Sequence, residues 1–598
     1  MNSPGAYSMD KFFCIPELVR ITCSFGEPED NAHLALTCRT LFAYAIPAAW
    51  TSVSGVCQLL LLLNNSTSSI REDSKGEFCE LKLPEILNEA HTTRFNFYAP
   101  FVTSLDIFKY QDDRISILNP QPLIQFANVR ELLPNLKCLE LTTDWKRRFN
   151  CVFWTNIFAC RSLLEVNIPS SSDCEREFIS DAAASGLTST LQRRSSHIQK
   201  LTFFSHRNSP VDEEENLLDR NFNHDRTPMH TFLPQFTSLT TINGSIGLLE
   251  SPALLALGSL PELKHLAVLY PMEDDIPEPD PTVLPPGSFP KLDTLTLTNV
   301  VEHTADFIWT MPALVTRLQS LTINFQPPYN QEDETGWILQ SLIPLICTHS
   351  PHIKEMVLEF NYTIFDAKEE RYICNFSETA FDALAKLKLT HLEVLHARMV
   401  GEALTDRLVN TWPQIEVLRW THQLVKVPQL SQFTKRLPKL KRLALSIDLN
   451  SFPDKCDANA LVDITHPELR AIESDFHGLG SLDGISAAEL FVYLRKLVPH
   501  AKLEPLEAAY LESDLSLERK LDLACAMSIN LMEMYIDIIR THQAKEPDPA
   551  SGGCLPTADE STSTQAAAIW NAVRNYTRDI ILAKRDKLEQ TASEQTSH

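Results

Sequence analysis

The hydrophobic positions of the chain recur as a short phrase: an apolar residue, two variable residues, an apolar residue, one variable residue and usually a third apolar one. LPNLKCLEL carries it at Leu136, Leu139 and Leu141. It returns at Leu263, Leu266 and Val268, at Leu292, Leu295 and Leu297, and at Leu318, Leu321 and Ile323. Further copies lie at Ile353, Met356 and Leu358, at Ile415, Leu418 and Trp420, and at Leu440, Leu443 and Leu445. Weaker copies open at Val102, Leu163, Ile198, Leu239, Leu392 and Leu469, giving thirteen openings from 102 to 469 at intervals of 23 to 41 residues. Self-similarity at such a period is the mark of stacked repeat units. Seven openings also carry a proline two positions earlier, at Pro134, Pro261, Pro290, Pro351, Pro413, Pro438 and Pro467. Proline cannot continue a helix and its fixed φ suits an extended start, so it separates helix from strand. The alternation that follows is that of a strand with one buried face. Stretches between the phrases, such as WILQSLIPLICTH at 337–349 and ETAFDALAKL at 378–387, space their apolar residues as helices do. Each unit is therefore expected to be a short strand plus a returning helix, an α/β repeat.

Residues 12–57 have a different texture. Pro16 opens a helix where its missing N–H costs nothing, with Glu17 near the positive end of the dipole and Leu18, Ile21, Thr22 and Phe25 at helical spacing. GEPED breaks the chain, Asp30 is positioned to cap a second helix, and Leu34, Cys38, Leu41 and Phe42 form its inner face. Pro47 is expected to start a short third helix leading to Trp50. A piece of this size has too little core to stand alone, so it should lean on a neighbour or a partner.

The rest of the chain divides by composition. Residues 1–11 read as a disordered start, 58–100 as a connecting segment and amino-terminal cap, and 101–505 as the repeat array. A helical cap is expected over 506–542, where Leu517, Leu521, Ala524, Leu531, Tyr535 and Ile538 make a stripe, followed by a linker at 543–564, a helix at 565–590 and a tail at 591–598. VDEEEN at 211–216 and the acidic, proline-rich stretch at 272–287 read as surface insertions.

Charge and chemistry narrow the function. The 598 residues carry 53 Lys and Arg against 77 Asp and Glu, a formal charge of −24, which disfavours a nucleic-acid partner because phosphate binding needs clustered positive charge. The longest pure apolar run, Leu59 to Leu63, is far short of the ~20 residues that span a bilayer, and MNSPGAYSMD lacks a secretory pattern. The 14 cysteines include no CxxC pair and read as reduced thiols of a cytoplasmic or nuclear protein. Gly is scarce, at 16 against 37 Pro, leaving few phosphate-cradling loops. HExxH, GxSxG and GxxxxGK[ST] do not occur, and the glycines of GLGSLDG, Gly478, Gly480 and Gly484, miss the dinucleotide spacing by one position. His349 and His352 in THSPH have no third ligand nearby in sequence, so no metal, cofactor or catalytic residue is expected.

The repeat phrase resembles the leucine-rich repeat, whose units place a strand on the concave and a helix on the convex side of a curved solenoid. The order IPEL, helix, break, LALTCRTLFAYA and AIPAAW resembles an F-box of the fungal type, which is commonly followed by such repeats. The two resemblances together imply an α/β architecture: a three-helix F-box at 12–57, an irregular, distorted horseshoe of leucine-rich repeats, and a helical carboxy-terminal cap. They imply a non-enzymatic substrate receptor of a Skp-cullin-F-box ubiquitin ligase, binding a Skp-type adaptor, and through it a cullin, by the F-box and a target protein by the repeats. The alternative is a leucine-rich-repeat scaffold without ligase recruitment. Carried over from the family, Ile15, Pro16, Leu18 and Val19 match the motif that meets the adaptor, while Leu34, Cys38, Leu41 and Trp50 match positions that hold the helices together and complete the contact. The repeats' strand face is then the target surface: Glu355 and Glu359 precede the more basic His396, Arg398, Arg419 and Arg442, a change of charge that would orient a partner.

Overall fold

A computed structural model of the chain describes residues 15–73, 76–108, 115–141, 151–168, 179–206, 227–270, 283–300, 305–325, 335–360, 373–399, 404–451, 466, 468–474, 493–494, 497–498 and 500–505. The segments expected at 1–11 and from 506 onward lie outside the described residues, as do VDEEEN, most of the 272–287 insertion and GLGSLDG.

The repeat phrase folds as a turn followed by a strand. Strands begin two residues after twelve of the thirteen openings, and within each unit the strands of this series pair in parallel. The exception is informative: the strand His391–Leu395 belongs to an opening at Leu389, not Leu392, because KLKLTHLEVL contains two overlapping apolar triplets and the structure uses the earlier one. With Leu389 in that place, every opening residue is at most 1 % exposed. Each contributes about 2 kcal/mol of apolar burial.

The prolines act in a turn rather than in an extended segment. The amide of Leu136 donates to the carbonyl of Leu133, that of Ile353 to Ser350, that of Ile415 to Trp412 and that of Leu440 to Leu437, at 3.1–3.4 Å. Pro134, Pro351, Pro413 and Pro438 thus occupy the second position of a four-residue turn, where their fixed φ is already correct and no N–H is needed.

The chain divides into two compact units, Met1–Asn299 with Thr310–Leu314, and Val300–Trp309 with Val315–His598. In the first, parallel strands follow in chain order: β1 (Ser52–Ser54), β2 (Ser104–Asp106), β3 (Cys138–Glu140), β4 (Glu165–Asn167), β5 (Lys200–Thr202), β6 (Thr241–Ser245), β7 (His265–Leu269) and β8 (Thr294–Val300). The ladder therefore starts at β1, ahead of the expected 101. The intervening residues form a helix Val56–Leu60, an antiparallel hairpin Thr67–Asp73 and Gly76–Lys82, and a helix Glu89–Tyr98. Gly55, at φ +95°, makes the sharp turn out of β1.

The second unit continues the same logic with β9 (Ser320–Phe325), β10 (Glu355–Phe360), β11 (His391–Leu395), β12 (Val417–Lys426), β13 (Arg442–Asp448), β14 (Ala471–Ser474) and β15 (Lys502–Pro505). The expected helices occur at Glu378–Leu384 and over 335–349, where a π turn, Ile338–Leu342, precedes Pro344. The alternation in β9 and β10 sends Leu321, Ile323, Met356 and Leu358 into the core and leaves the intervening residues on the other face.

The described residues of the first unit begin with three helices: α1 (Pro16–Phe25), α2 (Pro28–Ala35) and α3 (Arg39–Ala49). Two details differ from expectation. Glu27, not Asp30, stands before α2, because Pro28 takes the first helical position. Pro47 lies inside α3 and starts nothing: its missing donor falls in the last turn, where only the bond to the Ala43 carbonyl is forgone.

Candidate functional site

Val19, Cys23, Ala35, Leu41, Ala45 and Ile46 form the core of the three helices, with Leu34, Phe42, Trp50, Tyr98 and Phe101 packed around it. The ring of Trp50 is centred 4.6 Å from that of Tyr98, so the three helices lean on the later helix Glu89–Tyr98 of the same unit. The buried Asn31 ties the end of α1 to α2, donating to the carbonyls of Cys23 at 2.8 Å and Gly26 at 3.0 Å. Cys38 is exposed and caps α3, its Sγ accepting from the Leu41 amide at 3.5 Å. The chain break at Leu36–Cys38 separates Leu34 from Leu41, which the pattern had placed on one helix face.

The inner stripe of α1 is Val19 and Cys23, not the more apolar Leu18, Ile21 and Phe25. Those three are 40 %, 53 % and 85 % exposed, Ile15 is 43 % exposed, and Leu36 beyond α2 is 83 % exposed. A helix that turns its larger apolar residues outward carries a surface with no covering among the described residues. The eight positions taken from the F-box resemblance divide accordingly. Ile15 and Leu18 are on the surface, Pro16 is half-buried, Val19 and Leu41 are interior, Leu34 and Trp50 pack against the core, and Cys38 is the cap.

In the second unit, charged residues gather on the strand face. Parallel register places Glu393 of β11 beside Arg419 of β12, and Arg419 in the same row as Ala444 of β13 and Glu473 of β14. Arg419 reaches Glu393 at 2.7 Å and Glu473 at 3.3 Å, Arg442 reaches Glu473 at 2.5 Å, and His391 Nε2 lies 2.8 Å from Glu393. The Glu473 side chain is only 4 % exposed and that of Arg419 17 %. Burial opposes ionisation of Glu393, but the hydrogen bond with His391 and the charge of Arg419 outweigh it and hold the carboxyl below its usual range.

This network corrects the expected charge pattern. Arg419 and Arg442 belong together on the face, but they alternate with Glu393 and Glu473 and do not form a basic block. His396 and Arg398 are elsewhere: the opening at Leu389 moves the face positions of β11 back to His391 and Glu393. His396 sits past the strand end at φ +58°, 3.3 Å from His422, and Arg398 lies on a short strand paired with Cys374–Asn375, donating to Asn375 at 3.2 Å. Glu355 is exposed in register with His391, and Glu359 accepts from Asn324 at 2.8 Å. His391 and Glu393, absent from the sequence reading, were findable from the 3-residue phase of the repeat.

No group of three or more His, Cys, Asp and Glu among the described residues could hold a metal ion, and no helix among them is long and apolar enough to cross a membrane.

Comparison with known proteins gives no matching family model and no matching curated protein. Among solved structures, the chain is similar to the leucine-rich-repeat-containing protein LegL7 of Legionella pneumophila, at 9 % identity over 66 % of this chain and 97 % of the other, with a TM-score of 0.26. The internalin InlF of Listeria monocytogenes shares 9 % identity over 73 % and 85 % of the two chains, TM-score 0.26. The LRIM1/APL1C complex shares 12 % over 86 % and 83 %, TM-score 0.25. The fold assignment rests on the parallel ladder and its phrase, not on these likenesses.

Proposed function

We propose that the chain is a protein-interaction scaffold of leucine-rich-repeat type. The observation that carries this reading is the outward apolar stripe of α1, Ile15, Leu18, Ile21 and Phe25, mounted on a helical core that is complete without it. Large apolar side chains held at a surface by a packed core are what a partner protein buries. The ladder face of the second unit offers a second, polar surface through the exposed Glu355 and the half-exposed Arg442. Photo-crosslinking residues placed at Leu18 and at Glu355 test the reading: each captures a discrete partner that a control at the exposed Asp382 does not. Equal capture at all three positions would contradict it.

A more specific reading is favoured by the order of residues on α1. The motif IPEL resembles the opening of an F-box, and Ile15 and Leu18 are both exposed. On this reading the helices bind a Skp-type adaptor, the adaptor brings a cullin, and the repeats deliver a target to a ubiquitin ligase whose chemistry lies in other subunits; the chain works by proximity. Wild type is then retained by the purified adaptor, and Leu18→Lys loses at least tenfold in affinity while keeping its helical circular dichroism, since Leu18 is outside the core. No retention of wild type leaves the scaffold without a ligase.

A further inference from the structure

Beyond these two surfaces, the first unit contains a hollow of about 400 Å³ whose lining includes Arg130, Arg161, Arg193, Arg194, His197 and Glu131. We infer that it binds the phosphate group of a phosphate monoester, an inference that does not depend on the scaffold or ligase readings.

In a chain of net charge −24, four arginines here meet a single carboxylate. Only Arg161 comes within ion-pair range of it, at 3.9 Å. Arg193 donates to the carbonyl of Ser189, four residues earlier in its own helix. Arg194 donates to the Asn156 carbonyl at 2.7 Å and to Asn128 at 3.0 Å, and Arg130 to Asn96, with its guanidinium 4.2 Å from the centre of the Phe126 ring. These contacts fix the positions of Arg130 and Arg194 without neutralising them. Burial depresses both guanidinium groups below the usual arginine range; Arg193 adds to the effect at Arg194, against Glu131, and Glu89 opposes it at Arg130.

The competing explanation is that the arginines serve the three helices ending beside the hollow, Gln121–Val129, Cys151–Phe158 and Asp181–Arg194. A helix carboxy terminus carries about half a negative charge, so three supply about −1.5. Four arginines less Glu131 supply about +3, and Glu89, which acts on Arg130 from outside the lining, offsets part of that, so the hollow keeps a net positive charge after the helix ends are counted. A phosphate monoester brings about −1.5 to −2 at neutral pH, whereas a carboxylate brings only −1. Planar guanidinium groups with fixed donors suit phosphate oxygens. The hollow's size admits the group and a few attached atoms.

Calorimetric titration of the full chain tests the inference, with inorganic phosphate and a phosphoserine peptide as probes at constant ionic strength. Wild type binds phosphate saturably, sodium chloride of equal ionic strength does not compete, and Arg161→Glu with Arg193→Glu weakens binding at least tenfold. Both side chains are exposed, so the melting profile of this double variant remains that of wild type. Equal affinity for phosphate and peptide assigns the site to free small phosphates; a peptide at least tenfold tighter assigns it to a phosphorylated segment of a protein. Absence of saturable binding by both probes, or unchanged binding in the folded double variant, overturns the proposal.

Discussion

Glu473 is the residue on which the charged face of the second unit turns. Its carboxylate, almost wholly enclosed, receives Arg442 at 2.5 Å on one oxygen and lies 3.3 Å from Arg419 on the other. Loss of Glu473 leaves Arg442 half-exposed to water and Arg419 still paired with Glu393 at 2.7 Å, so the cost lies above that of a surface pair and below the about 3 kcal/mol of a stranded buried charge. Glu473→Ala is therefore expected to lower the unfolding free energy by about 1.5 kcal/mol in urea denaturation. A change under about 0.5 kcal/mol would mean that water already screens the pair. Glu473 could be placed on the strand face from the repeat phrase alone. Its burial could not, because that depends on Arg419 and Arg442 closing over it from neighbouring strands.

At the scale of the element, the strand–turn phrase was legible because it needs only local spacing. A proline two residues ahead of an apolar opening encodes the turn, and the triplet encodes the inward row. Where two triplets overlap, as in KLKLTHLEVL, local spacing has two solutions. Pairing with β10 selects one of them: Glu355 must face His391. That slip displaced His396 and Arg398 from the face on which the sequence had set them. The orientation of α1 was illegible for a similar reason. Leu18, Ile21 and Phe25 make the more apolar stripe, yet Val19 and Cys23 fit against Ala35, Leu41, Ala45 and Ile46. An outward apolar stripe is a departure from ordinary amphipathic patterning, and such departures mark functional surfaces. The row His391, Glu393, Arg419 also carries a pH prediction. The Glu393 carboxyl lies below its usual range in the folded chain, so its contribution is present above the unfolded value of about 4.3 and is lost as pH falls through the folded value. Glu393→Gln should be less stable than wild type at neutral pH, with the two denaturation midpoints converging in acid. A gap that stays constant down to pH 2 would contradict this assignment.

At the scale of the whole molecule, the two units carry different kinds of surface. The first holds an exposed apolar helix face and a basic hollow, and the second a ladder of alternating acid and base. None of these assembles a nucleophile with a base, or a metal cluster, among the described residues, and each suits recognition. Burial of Ile15, Leu18, Ile21 and Phe25 by a partner would remove enough apolar area to make single substitutions there costly to binding but cheap to folding. The measurement that tests this account most directly is quantitative mass spectrometry of proteins co-purifying with the full chain, comparing wild type, Leu18→Lys and Glu355→Lys. The account predicts that Leu18→Lys and Glu355→Lys each lose a distinct set of partners, at least tenfold, while remaining folded. Identical partner sets for all three chains would contradict it.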